Sequence, residues 1–141
     1  MQPLDLTTAP PRGPRESLAG ILFLPRTVDK VRATLPGGDV GAYDIPGIST
    51  MMFDALGIEL DAFRAAVADA ADDDAVARFV EQATTPERIA AWNAMLRARL
   101  PRGGDRNAAH ESYPWLRERS ELPLVLDVLE EDDRRHFAQR G

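Results

Sequence analysis

Apolar residues recur at helical spacing along most of the chain after residue 16. In the first such stretch the stripe contains Leu18, Ile21, Leu22, Val28, Val31 and Leu35. Intervals of three, four and seven residues place side chains on one face of a helix. We expect a break at Pro25, which opens a helix running to about Leu35, and a stop at Pro36-Gly37-Gly38.

The regions on either side of this stretch lack such periodicity. Residues 1–15 contain four prolines, which remove backbone donors and fix the backbone, so the pattern predicts an extended arm that Leu4 and Leu6 could anchor. Residues 36–48 hold four glycines and two prolines around Tyr43. This composition predicts a loop with a short extended piece at 42–45.

Helix start and stop signals divide the rest of the chain. Ser49 or Thr50 is a candidate cap for a short helix that Gly57 ends, and a third helix starts near Asp61. The run Asp72-Asp73-Asp74 favours the start of a fourth helix, since acidic residues stabilise a helix N-terminus.

The clearest start signal is Thr84-Thr85-Pro86-Glu87, where either threonine can cap the helix and Pro86 suits its first turn. The predicted buried stripe of this helix is Ile89, Trp92, Leu96 and Leu100. Asp105 is a candidate cap for a sixth helix through Tyr113, which Pro114 would kink or end.

The apolar run Leu122–Leu129 fits either a buried strand or a helix, and the charges that follow it favour a helix. Together these elements predict an all-α, single-domain small bundle of about five to seven helices. Its parts are the proline-rich arm (1–15), a helical core (16–137) and a frayed tail (138–141).

Composition narrows the function classes. The 141 residues include 23 acidic and 17 basic side chains, a net charge of −6, and no cysteine. The absence of cysteine rules out disulfides, thiolate nucleophiles and Cys-ligated zinc. A net negative chain is a poor match for nucleic-acid binding, and no apolar run reaches the length of a bilayer span. We therefore expect a cytoplasmic protein with no nucleic-acid or membrane partner.

Several segments in order resemble a known family. They are Pro11-Arg12-Gly13-Pro14-Arg15, Leu18-Ala19-Gly20, Leu24 to Ala33 with the sequence LPRTVDKVRA, Leu56-Gly57-Ile58 and Ile89 to Leu96 with the sequence IAAWNAML. Their order and spacing are similar to those of the bacterial family catalogued as domain of unknown function 5069. The resemblance implies a small single-domain protein without an established activity, and so it supplies no catalytic residues. Where relatives tend to have a Cys-Pro-Leu-Asp-like stretch, this chain has Ile45-Pro46-Gly47-Ile48-Ser49.

Charge along the chain is uneven. Residues 1–35 carry five basic and three acidic side chains, whereas residues 36–87 carry two basic and 11 acidic ones. Arg26 and Lys30, the only lysine, share a helix face at a spacing of four and are a candidate anion site. Tyr43 and Met52 are candidates to contact the apolar part of a ligand. The alternative is an ordinary charged helix face with weak ion pairs.

Other candidate chemistry is weaker. His110 could act as an acid or base beside Glu111, yet no Gly-x-Ser-x-Gly motif accompanies it, and a structural histidine is the better interpretation. Asp39, Asp44 and Asp54 match no known metal-loop spacing. We predict no metal and no cofactor, and the sequence assigns no reaction.

Two functional hypotheses follow. The first is binding of a small anionic or amphipathic metabolite between the Arg26–Arg32 helix and the Gly37–Ser49 loop. The second is a non-catalytic interaction module or homodimer, suggested by the proline-rich arm and the apolar runs Leu18–Leu24 and Leu122–Leu129.

Overall fold

The computed structural model describes residues 1–138, which form seven α-helices, two 3-10 helices and one small hairpin. The hairpin strands are β1 (Ser17–Leu18) and β2 (Ile21–Leu22). The α-helices are α1 (Leu24–Ala33), α2 (Ile48–Leu56), α3 (Leu60–Asp69), α4 (Asp73–Ala83), α5 (Pro86–Ala98), α6 (Arg106–Ser112) and α7 (Val125–Ala138). The 3-10 helices span Pro101–Gly104 and Pro114–Glu118. The predicted all-α class is confirmed as a mainly helical fold.

The chain divides into two compact units, Met1–Asn93 and Ala94–Gly141. None of the helices within residues 1–138 is both long and apolar enough to cross a lipid bilayer. The predicted frayed tail begins at Ala138, the last residue of α7, and its other residues, 139–141, lie outside the described part of the chain.

The core of the first unit is built on α1, which packs against α3, while α3 packs against α4. Fully buried side chains of this unit include Leu6, Ile21, Phe23, Val28, Val31, Met52, Leu56, Phe63, Val67 and Trp92. The indole Nε1 of Trp92 donates to the carbonyl of Leu22 at 2.9 Å, which satisfies a buried donor and ties α5 to the hairpin.

The second unit has its own small core. Ala109, Leu116 and Val128 are fully buried, and Tyr113, Trp115 and Leu122 pack against them. Within this unit the amide of Val125, the first residue of α7, donates to the carbonyl of Arg99 at 2.8 Å. The helical interpretation of residues 122–129 is therefore correct from Val125 onward.

The helical prediction for residues 16–24 is wrong. β1 and β2 pair antiparallel, with Ser17 opposite Leu22 and Leu18 opposite Ile21. Ala19 and Gly20 form the two-residue loop with φ of 53° and 73°. Two successive left-handed residues match the twist of a tight hairpin, so this turn chemistry overrides the helical spacing of the leucines. Phe23, also left-handed at 76°, then redirects the chain into α1.

Most predicted helix boundaries agree with the structure. The Asp72 side chain accepts from the amide of Ala75 at 3.0 Å, Asp105 accepts from Ala108 at 3.1 Å, and Gly57 ends α2 at φ 71°. Of the two threonines, Thr85 is the cap, because its hydroxyl accepts from the amide of Arg88 at 3.3 Å. Thr84 instead donates to the carbonyl of Leu56 at 2.8 Å.

Three local predictions need correction. Neither Ser49 nor Thr50 caps α2, which begins at Ile48 after Gly47, because the Ser49 hydroxyl is bonded at 2.9 Å to that of Thr27 in α1. α1 ends at Ala33 instead of Leu35. Leu100 is exposed, because α5 ends at Ala98 before the stripe reaches it.

Candidate functional site

The proline-rich arm is ordered and lies along the C-terminal half of α1. The amide of Leu4 donates to the carbonyl of Arg32 at 3.3 Å, and that of Leu6 donates to the carbonyl of Asp39 at 2.8 Å. Asp39 returns a bond from its amide to the Leu4 carbonyl at 3.1 Å, which makes a parallel bridge between Asp5 and Asp39. The extended pairing in the glycine-rich loop is therefore at Asp39 and not at residues 42–45.

Glycines in that loop let the arm and α1 approach closely. A Cβ on Gly41, whose φ is 57°, would lie 2.8 Å from the carbonyl oxygen of Leu6. A Cβ on Gly38 would lie 2.6 Å from the carbonyl oxygen of Ala33. Both distances are shorter than van der Waals contact allows, so packing of the loop on the arm and on α1 accounts for these two glycines.

A second anchor holds the far end of the arm. The amide of Arg12 donates to Asp29 Oδ2 at 2.8 Å, and its guanidinium binds both oxygens of Asp29. The same guanidinium donates to both oxygens of Asp73 in α4, from Nη1 at 2.5 Å and from Nη2 at 3.2 Å. Arg12 thus links the arm to α1 and α4 through charge-assisted hydrogen bonds.

Electrostatics keep Arg12 in its charged form. Burial opposes the charge, but the hydrogen bonds to Asp73 and Asp29, with their charges, outweigh burial and raise the pKa of the guanidinium above its ordinary value. The Asp29 side chain is only 6% exposed, and Arg12 supplies the opposite charge and the hydrogen bonds that compensate for its burial. The sequence pattern gave Asp73 only a helix-starting role and did not predict its ion pair with Arg12.

Between these two anchors the arm and α1 line an open pocket of about 290 Å³. Its lining residues are Leu4, Asp5, Leu6, Ala9, Pro10, Arg12, Asp29 and Arg32. Six of these belong to the arm and two to α1. The volume is just below the range of about 300–1,000 Å³ that is usual for small-molecule sites.

Arg32 is the lining cation with donors left over. Its Nε donates to the carbonyl of Gln2 at 2.9 Å, and its Nη1 lies 3.8 Å from Asp29 Oδ1, beyond hydrogen-bonding distance. Within residues 1–138 the two terminal nitrogens of Arg32 make no hydrogen bond. Its side chain is 21% exposed, so these donors remain accessible to a molecule in the pocket.

The four residues predicted as a ligand site lie elsewhere. The Arg26 guanidinium carbon is 5.4 Å from the ring centre of Tyr43 and 5.8 Å from that of Phe23. Lys30 Nζ is 5.5 Å from the same Phe23 ring. The structure thus brings Arg26 and Lys30 together over Phe23, an aromatic side chain that the helical pattern did not single out, and places Tyr43 beside Arg26.

None of these four residues lines the pocket. Arg26 is 2% exposed and Lys30 is 9% exposed, and both sit in the packed interior. Arg26 Nη1 also donates to the Arg12 carbonyl at 3.2 Å, which supports the arm from below. Met52 is fully buried in α2 and half-buried Tyr43 stacks on Arg26.

His110 and the acidic side chains do not form a second candidate site. His110 is half-buried next to the core residue Ala109, and its Nε2 makes no hydrogen bond within the described chain. Across residues 1–138 no group of three His, Asp or Glu side chains is arranged to hold a metal ion. The weaker chemistry suggested for His110 and for the loop aspartates therefore gains no partner group from the fold.

Comparison with known families gives one match. The profile of the family described as "Domain of unknown function (DUF5069)" matches residues 8–135. No curated protein matches the chain. The match includes Pro10, Arg12, Asp29 and Arg32 of the pocket but begins after Leu6.

Proposed function

Because the chain belongs to the DUF5069 family, whose description assigns no activity, we propose a function from geometry: this protein binds a small organic anion in the pocket between the arm and α1. Arg32 is the residue that receives the anion. The proposal concerns binding and assigns no reaction. We still expect the protein to be located in the bacterial cytoplasm, and cell fractionation would test this.

One observation carries the proposal: two arginines line the same pocket, and they differ in how many of their hydrogen-bond donors are already used by the protein. All three side-chain nitrogens of Arg12 bond to Asp29 or Asp73. In Arg32 only Nε donates a hydrogen bond, and the two terminal nitrogens make no hydrogen bond within residues 1–138. A guanidinium fork matches the two oxygens of a carboxylate, so Arg32 is suited to bind one end-on.

The pocket also has an apolar portion. The apolar residues that line it are Leu4, Leu6, Ala9 and Pro10, and apolar surface favours the hydrocarbon part of a ligand. A small amphipathic carboxylate combines the two requirements. This support differs from the sequence hypothesis in location, because the pocket is lined by the arm and α1 and by no residue of the glycine-rich loop.

The homodimer or interaction-module alternative has less to support it. Ile21, Leu22, Phe23 and Leu24 are buried, as are Val125, Leu126 and Val128. The two apolar runs that suggested a partner surface are therefore mostly used within the chain. The large apolar side chains that stay exposed, Met95, Leu100 and Leu124, are each between 37% and 38% exposed.

Isothermal titration with 4-methylpentanoate, a small branched carboxylate, tests the proposal. We expect binding tighter than about 1 mM, with Arg32→Gln weakening it at least about tenfold, because a hydrogen bond to a charged group contributes about 1.5–3 kcal/mol. Arg78→Gln in α4 removes an exposed arginine and is the matched control for net charge. Equal binding by both variants, or failure of every small carboxylate probe to bind, would refute the proposal.

A further inference from the structure

The arm pocket has an unsatisfied acceptor as well as unsatisfied donors. Asp5 Oδ1 accepts both bonds from Thr7, at 2.8 Å from its amide and at 2.5 Å from its hydroxyl. Within residues 1–138 the second oxygen, Oδ2, accepts no hydrogen bond. Asp5 and Arg32 both line the pocket, so the pocket has a carboxylate and a guanidinium that each keep hydrogen-bonding capacity.

Local hydrogen bonds keep Asp5 negatively charged. The hydroxyl and the amide of Thr7 both donate to it, and together they lower the pKa of the Asp5 carboxyl below its ordinary value. The turn made by these bonds also fixes the carboxylate relative to the arm backbone. A fixed carboxylate with one oxygen unused is an acceptor for an ammonium group.

The charges lining the pocket balance. Arg12 and Arg32 supply two positive charges, and Asp5 and Asp29 supply two negative ones. A doubly charged anion such as phosphate is attracted by the two arginines but repelled by the two carboxylates, so the pocket as a whole does not favour it. A ligand with one negative and one positive group can pair with an arginine and with a carboxylate at the same time.

We infer that the ligand of this pocket is a zwitterionic α-amino acid with an aliphatic side chain. Its carboxylate binds the terminal nitrogens of Arg32, its ammonium binds Oδ2 of Asp5, and its side chain lies against Leu4, Ala9 and Pro10. This inference rests on the proposed function and specifies the class of anion. Arg12 acts as a positioning residue, because its donors already hold Asp29 and Asp73.

Three probes of nearly equal size, together with inorganic phosphate, test the inference by isothermal titration against the full chain. They are L-leucine, 4-methylpentanoate, which lacks the ammonium, L-leucinamide, which lacks the carboxylate, and inorganic phosphate. We expect L-leucine to bind at least about tenfold tighter than either 4-methylpentanoate or L-leucinamide, since each of these loses one charged hydrogen bond. We expect phosphate to bind more weakly than L-leucine.

Variants assign the two ends of the ligand. Asp5→Asn keeps the oxygen that Thr7 binds, and we expect it to weaken binding of L-leucine about tenfold without weakening binding of 4-methylpentanoate. Arg32→Gln should weaken both, and Arg78→Gln neither. Hydrogen exchange of the Leu6 amide, which bonds to Asp39, checks that the arm stays docked in each variant.

The outcomes separate the inference from the proposal beneath it. Equal binding of L-leucine and 4-methylpentanoate, both dependent on Arg32, overturns the zwitterion and leaves anion binding intact. Tighter binding of phosphate than of L-leucine does the same. Failure of every probe to bind, with the arm docked, overturns both.

Discussion

The two sides of α1 use the same residue types for opposite purposes. On one side, Arg26 and Lys30 lie over the Phe23 ring at 5.8 and 5.5 Å and are almost completely buried. On the other side, Arg32 faces the pocket with its outer nitrogens unsatisfied among the described residues. Basic side chains on one short helix therefore divide into those that hold the fold and one that is available for a ligand.

Burial explains the division. A cation removed from water loses hydration, and it is kept only where hydrogen bonds, opposite charges or aromatic faces replace that loss. Arg26 has a carbonyl and two aromatic rings around it. Arg32, 21% exposed, keeps part of its hydration and can exchange that water for the oxygens of a ligand.

Arg26→Ala should give the largest effect. The side chain is 2% exposed, so truncation leaves a cavity beneath Phe23 and Tyr43 and removes the bond to the Arg12 carbonyl. We expect a loss of about 3 kcal/mol in the free energy of unfolding, measured by urea titration. Arg78→Ala, an exposed truncation in α4, should change it by less than about 0.5 kcal/mol.

Binding measurements on Arg26→Met, which is close to arginine in volume, test whether the two sides of α1 differ in function. Arg26→Met keeps much of the packing, and we expect it to bind 4-methylpentanoate like the unaltered protein. If Arg26→Met were stable but could not bind the probe, Arg26 would be the ligand contact and the division between the two sides would be wrong.

Arg12→Ala comes next, with an expected loss of about 2 kcal/mol. Removal of the guanidinium leaves the buried Asp29 carboxylate without its main partner, but the 30% exposure of Arg12 lets water compensate in part. The arm should also loosen, so we expect faster hydrogen exchange at the Leu6 amide. Exchange at the Trp92 indole, bonded to Leu22 away from the arm, is the internal control.

A result opposite to this one would be informative as well. If Arg12→Ala left both stability and arm exchange unchanged, the arm would be held by its pairing with Asp39 alone. Arg12 would then be as available to a ligand as Arg32, and the contrast between the two lining arginines would disappear.

Local rules predicted much of this fold from sequence. Caps and stops act through neighbouring atoms, and so Asp72, Asp105 and Gly57 were placed correctly. Ala19-Gly20 was missed, because helical spacing of the surrounding leucines outweighs a turn signal that lacks asparagine or aspartate. Ser49 was misassigned as a cap, because its partner, Thr27, lies 22 residues earlier in the chain.

The candidate site was harder to predict for a related reason. A spacing of four correctly puts Arg26 and Lys30 together, but spacing does not say whether a face meets solvent or an aromatic side chain. That depends on Phe23, which precedes α1 and falls outside its stripe. Likewise, the pocket exists only because an arm without periodicity returns to pair with Asp39, a non-local contact that no window of sequence reveals.

The smallest expected effect concerns Asp5, at the pocket end opposite in charge to Arg32. Hydrogen bonds from the hydroxyl and amide of Thr7 lower the pKa of Asp5 in the folded protein, so folding favours the ionised carboxyl. This contribution is complete above the unfolded value, about 3.9, and is lost as the pH falls through the lower folded value. Asp5→Asn should therefore be less stable than the unaltered protein at about pH 6, and the gap should narrow toward about pH 3.

Urea midpoints of Asp5→Asn and of the unaltered protein between about pH 6 and about pH 3 measure this difference in stability. Because the other carboxyls are present in both proteins, their titration cancels in the difference. Asp54→Asn is the matched control, because its exposed side chain makes no hydrogen bond within residues 1–138. A gap that stays constant with pH would mean that Thr7 binds Asp5 through polarity alone. The carboxylate would then not be held ionised by the arm, and the charge contrast between the Asp5 end and the Arg32 end of the pocket would weaken in acid.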